Sequence, residues 1–362
     1  MTLLPGLSPI IAAPMAGGPS TPELVAAVAG AGALGFLAAG YLGVEALDAQ
    51  LTELERRTDR PYGVNLFVPA APTADLGPAR RYAERLGPRA AEAGVELGPL
   101  RWDDDAYPAK LDLILRRQPA AVSFTFGLPS PGDCERVRAR GAVAIATVTT
   151  AAEACEAAGV GVDALVAQGA EAGGHRGVFR DDGFSRGGGE LVARDDLVTA
   201  IRGVTELPVV AAGGMASGRD VGAALARGAV AAQLGTGFLC CPEAGTSAVH
   251  RAALVERRFT ETVVTRAFTG RPARALRNAF VHEFDDLAPT AYPEIHHLTR
   301  PLRAAAAVAG DADSVHLWAG TAWRQATVEP AADLIERWQR ELRQTSSHDD
   351  GSGHGRRARR RI

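Results

Sequence analysis

Eight short apolar runs alternate with longer segments of helical spacing between residues 9 and 256. The runs are Pro9–Ala13, Leu34–Leu37, Tyr62–Phe67, Ala121–Phe124, Val143–Ala146, Ala164–Ala167, Pro208–Ala212 and Val230–Leu234. They are too short for helices and do not alternate polar with apolar, so each predicts a strand buried on both faces of a parallel sheet. The segments between them carry helix signals. Ser20-Thr21-Pro22-Glu23 supplies a cap, a first-turn proline and an early acid. Leu47, Leu51 and Leu54 recur at helix spacing within Val44–Arg57. Helices are also expected within 69–117, over Cys134–Arg140, Ala151–Ala158 and Asp195–Arg202, up to Arg227, and from about Gly245 to Glu256. Strands alternating with helices imply parallel pairing, and eight units in about 250 residues predict a (β/α)8 TIM barrel. A doubly wound sheet is the alternative. It is weakened because no strand–turn–helix unit carries a dinucleotide fingerprint: Gly30-Ala31-Gly32-Ala33-Leu34-Gly35 fits G-x-G-x-x-G but lies between a helix and the next strand, the reverse of the required order.

The predicted organisation is a barrel over 1–256 and a helical segment over 257–343 packed on it, with Trp318, Trp323 and Trp338 as packing residues. Residues 344–362 read as a disordered basic tail, whose five arginines are expected to be solvated, with binding to nucleic acid or acidic lipid as the alternative.

The chain has 362 residues, 46% hydrophobic and 22% charged, which suits a globular protein with a large core. A net charge of −3 implies no bulk attraction to nucleic acid. No apolar run reaches the roughly 18 residues of a membrane span. No basic segment precedes Pro5, so a signal peptide is not expected. Cys134, Cys155, Cys240 and Cys241 show neither disulfide nor zinc spacing, which fits a reduced, cytoplasmic protein with no metal. Lys110 is the only lysine. Lying in a helical stretch ahead of a strand, it is expected at the barrel face opposite to catalysis, which argues against Schiff-base chemistry.

Barrel active sites are built at the C-terminal strand ends. Those ends are Pro14-Met15-Ala16-Gly17, Asn65, Ser123, Thr147, Gln168, Gly213-Gly214 and Gln233-Leu234-Gly235-Thr236. None is an acid or a lysine, so glycosidase and aldolase chemistries lack their groups. Amides, hydroxyls and bare backbone suit a neutral, planar, hydrogen-bonding ligand. Gly213-Gly214, expected to open a helix, and Gly235-Thr236 suit a phosphate. A phosphate at one end and a planar body at the other describe flavin mononucleotide, FMN. The loop from Gly169 to Gly189 is long and glycine-rich around His175, whose side chain can transfer protons just beyond a strand end. His296, His297 and His316 are expected on the exposed surface, with the mouth of the barrel as the alternative.

With those features in place the sequence resembles the FMN-dependent nitronate monooxygenases, once called 2-nitropropane dioxygenases. The resemblance rests on PIIAAPMAGG near the N-terminus, GVNLF at 63–67, SFTFGLP at 123–129, QGAEAGGHRG at 168–177, PVVAAGGM at 208–215, GAVAAQLGTGFL at 228–239 and GRPARALRN at 270–278. It implies that His175 is the catalytic base. It implies FMN contacts from Asn65, Gln168, Gly173, Gly213, Gly214, Gln233, Leu234, Gly235 and Thr236, with the backbone of Ala13, Pro14, Met15 and Ala16 facing the ring. The implied reaction takes a small nitronate, such as propionate 3-nitronate, or a nitroalkane, together with dioxygen, to a carbonyl compound and nitrite. A flavin-type enoyl-acyl-carrier-protein reductase and an NAD(P)H:quinone reductase of the same superfamily are the alternatives; both need a pyridine nucleotide. A non-catalytic flavin binder would have no need of His175.

Overall fold

The eight apolar runs form a closed parallel barrel in a computed structural model that describes residues 3–351, with side chains to residue 345. Its strands are β1 (Ile10–Ala12), β2 (Leu34–Ala38), β3 (Gly63–Phe67), β4 (Ala121–Thr125), β5 (Val143–Val148), β6 (Ala164–Gln168), β8 (Val209–Ala212) and β9 (Ala231–Leu234). A two-residue strand outside the barrel, β7 (Gly174–His175), falls between β6 and β8 in the chain. Each barrel strand pairs with the next in sequence, and Ile11 opposite Gln233 closes β1 onto β9.

The runs are continuously apolar because both of their faces are buried. Ile11, Leu34, Phe36, Ile145, Val166 and Val210 point inward and fill the barrel. Val64, Leu66, Val122 and Phe124 point outward against the helices. Gly63 makes the inner packing possible: a β-carbon there would stand 2.3 Å from the Phe36 ring.

The helices of residues 69–117 are Gly77–Glu92 and Tyr107–Arg117. Each barrel helix runs back antiparallel to its strand, so its first turn lies at the face where the strands end. This corrects the expectation for Lys110. In the first turn of Tyr107–Arg117, its Nζ donates to Ala39 O at 2.9 Å, just past β2, and pairs with Asp105 at 2.8 Å. It is fully buried and does not line the cavity described below.

The segment after the barrel is not purely helical. The β-branched run Thr262–Thr265 (β10) pairs with Ala273–Leu276 (β11), and β11 pairs with β7, forming a three-stranded antiparallel sheet. The closing helix, Ala331–Gly351, packs on Gly218–Ala226 and buries Leu334, Ile335 and Trp338. It carries the chain past residue 344, so the start of the expected tail is helical; its arginines lie outside the described residues. Among the described residues no helix is long and apolar enough to cross a membrane.

Candidate active site

The C-terminal strand ends surround a cavity of about 690 Å³. The residues expected to touch the cofactor all line it, from Ala13 after β1 to Thr236 after β9, with His175 among them; of the strand-end residues Ser123 does not, being buried behind Asn65. One local expectation fails. Gly213 and Gly214 do not open a helix; they form a turn at φ of 112° and 65°, and the helix begins at Gly218 behind the N-cap Ser217. That turn is packed against the glycine-rich loop, where a β-carbon on Gly213 would reach Ala172 N at 2.9 Å.

His175 is held by secondary structure the sequence pattern did not reveal. It sits on β7, opposite Ala273 of β11. Gln168, at the end of β6, braces the same backbone: its Nε2 donates to His175 O at 2.9 Å and its Oε1 accepts Gly177 N–H at 2.7 Å. One N–H and one lone pair of that amide remain for a ligand. Asn65 Nδ2 lies within 3.2 Å of Ser123 O, Ser123 Oγ and Thr125 Oγ1, which fixes the carboxamide at the cavity floor.

The wall opposite the barrel comes from the later chain. His296, Arg300, Arg303, Ala304 and Ala307 form one face of the helix Glu294–Ala309 and all line the cavity. His316 and Trp318 line it beside them. This corrects the reading of the histidines as exposed: His296 is buried, and His297 and His316 are half-buried. The signal that went unread is the i, i+4, i+7, i+8, i+11 spacing of that helix face, which mixes cations with small residues.

No carboxylate lines the cavity among the described residues. Arg303 is 6% exposed and has no ion pair there; it donates to Thr299 Oγ1 at 3.0 Å and His296 O at 2.9 Å. Burial, reinforced by Arg271 and Arg303, pushes the His175 imidazole down to about 3. Burial likewise lowers His250 to about 4 and holds His316 well below its ordinary value. The cavity is thus lined by neutral imidazoles and uncompensated guanidinium charge, an environment that favours an anionic guest.

The architecture and the position of this site define a (β/α)8-barrel enzyme. A nitronate monooxygenase family model matches residues 1–341. A nitronate monooxygenase from Pseudomonas aeruginosa is 40% identical, covering 92% of this chain and 96% of its own. A probable nitronate monooxygenase from Staphylococcus saprophyticus is 38% identical, covering 91% and 92%. The solved nitroalkane oxidase of Streptomyces ansochromogenes superposes with a TM-score of 0.91 at 45% identity, covering 94% of this chain and 97% of that one. FabK from Thermotoga maritima superposes at 0.73 with 26% identity and 95% coverage of both chains. The chain belongs to the nitronate monooxygenase family, a family of oxidoreductases.

Proposed function

We propose that the protein binds FMN in the 690 Å³ cavity and oxidises small alkyl nitronates with dioxygen, releasing a carbonyl compound and nitrite. One observation carries the reading: a large cavity with glycine turns at one end, neutral amides on its floor and, among the described residues, no lining carboxylate. The residues fit the cofactor. The turns at Gly213-Gly214 and Gly235-Thr236 offer backbone N–H groups to the phosphate, and Asn65, Gln168, Gln233 and the Ala13–Ala16 backbone offer hydrogen bonds to the ring. When bound, FMN supplies the electron acceptor. The barrel, over 1–256, carries the cofactor, and the segment 257–343 covers it.

The chain's own task is to place and charge the substrate. Burial keeps His175 neutral, the form that accepts an α-proton from a nitroalkane. A nitronate anion in the cavity would raise its proton affinity and draw charge stabilisation from Arg303. Four unpaired cysteines support a reducing, cytoplasmic setting.

The test is the visible spectrum of the purified protein under anaerobic addition of propionate 3-nitronate, then of NADH or NADPH. Bleaching by the nitronate, with nitrite appearing on readmission of air, is expected. Bleaching by the nicotinamide alone would transfer the protein to the reductases.

A further inference from the structure

Two aromatic residues at the strand ends hold a left-handed backbone: Tyr41 after β2, with φ 69°, and Phe126 after β4, with φ 78°. Side chains larger than glycine are strained there, and such strain persists only where surrounding contacts enforce it. Tyr41 is enforced from behind by Asp105, which accepts its N–H at 3.0 Å and pairs with the buried Lys110 at 2.8 Å. In front, the Tyr41 ring lies flat on His296, with centroids 4.0 Å apart and planes 3° apart, and meets Phe67 edge-on at 5.3 Å. Its hydroxyl accepts a hydrogen bond from Tyr292 at 3.1 Å.

These rings form a wall. On its far side lies a second cavity of about 380 Å³, bounded by Val68, Trp102 and Pro293. Tyr41, Phe67, Phe126 and His296 line both cavities. Phe126 is 3% exposed and clamped beneath the Arg271 guanidinium at 3.9 Å, and His296 is tied to Arg303 through its carbonyl. Tyr41 is the member whose removal opens the wall without unpacking the barrel, because glycine suits its backbone.

We propose that Tyr41 is a length-determining partition: it closes the second cavity to the chain of a bound nitronate and restricts the enzyme to short-chain substrates. This rests on the nitronate-oxidising reading. The holoenzyme, Tyr41→Gly and Tyr41→Phe are compared in kcat/KM for the nitronates of nitroethane and 1-nitrooctane. The parent nitroalkanes are titrated calorimetrically in parallel. Tyr41→Gly should raise the octyl-to-ethyl ratio about tenfold or more, on the scale that apolar pocket contacts discriminate substrates. Tyr41→Phe, which keeps the ring, should hold the wild-type ratio. An unchanged ratio in Tyr41→Gly, or an equal change in Tyr41→Phe, overturns the partition. Absence of turnover with the binding ratio still shifted would overturn the nitronate reading and leave the partition standing.

Discussion

His175 Nε2 lies 2.9 Å from Thr269 Oγ1, and that hydroxyl reaches Arg271 O at 3.2 Å. The carbonyl can only accept and the Arg271 N–H, 3.4 Å from Oγ1, can only donate; with the threonine proton on the carbonyl, Oγ1 accepts from the imidazole Nε2–H. Nδ1 is left with the free lone pair, and among the described residues it has no hydrogen-bond partner. In that arrangement a threonine far along the chain sets which nitrogen carries the lone pair that the proposed base would use.

His175→Ala should retain FMN, shown by its visible spectrum, and lose about 10²–10⁴-fold in turnover of a neutral nitroalkane. Thr269→Val keeps the ring but frees the tautomer, so a smaller loss of about tenfold is expected. Equal rates for wild type and His175→Ala would remove the imidazole from the chemistry.

Gly173→Ala should weaken FMN binding rather than catalysis. A β-carbon there would stand 2.4 Å from Gly320 N, whose N–H donates to Thr236 Oγ1 at 2.9 Å. Moving Gly320 disturbs the threonine proposed to hold the phosphate. Flavin titration of the apoprotein should show a Kd raised by about tenfold or more, since a single lost charge-assisted hydrogen bond is worth about 1.5–3 kcal/mol. An unchanged Kd would place the phosphate elsewhere.

Stability should fall on mild acidification. His175 and His250 are lowered to about 3 and about 4, and His296 and His316 are also pushed down, all chiefly by burial. A histidine with a depressed native pKa stays neutral in the fold, while the unfolded chain binds a proton near pH 6.5. Its stabilising contribution is therefore complete above that pH and is lost as the pH falls toward the native value. Each such group adds a slope approaching about 1.4 kcal/mol per pH unit. Urea unfolding at pH 7.5, 6.5 and 5.5 should show the loss setting in below pH 6.5, above the range where most carboxylates titrate. A flat profile would mean these imidazoles protonate in the native state.

Lys110→Met should destabilise the fold by about 3 kcal/mol, because it strands the Asp105 carboxylate without its cation. Burial already raises the Asp105 pKa, and Lys110 is the first influence opposing that. Adding Asp105→Asn should recover part of the loss in chemical denaturation. If the single variant is as stable as wild type, the pair does not hold the backbone at Tyr41.

The barrel was legible in the chain because a strand covered on both faces needs an unbroken apolar run, and Leu34–Ala38 or Val209–Ala212 is too short to be anything else. The face that carries the cavity followed from chain direction alone, which is why Asn65, Gln168 and Thr236 were expected at strand ends and do line that cavity. His175 was legible as a residue but not as a strand. Two residues, Gly174 and His175, have no periodicity, and they become β7 only because Ala273 lies opposite. The sequence by itself thus determined the barrel and the face that holds the cavity, since these depend on local pattern and chain polarity. Tertiary structure decided the rest. Thr269 meets His175 across 94 positions of chain, Lys110 reaches the top of β2 by helix reversal, and Arg303 becomes an uncompensated cation only once burial removes both water and carboxylates from it. A proton's position and a charge's value depend on what surrounds them in space, and one-dimensional spacing carries no record of that.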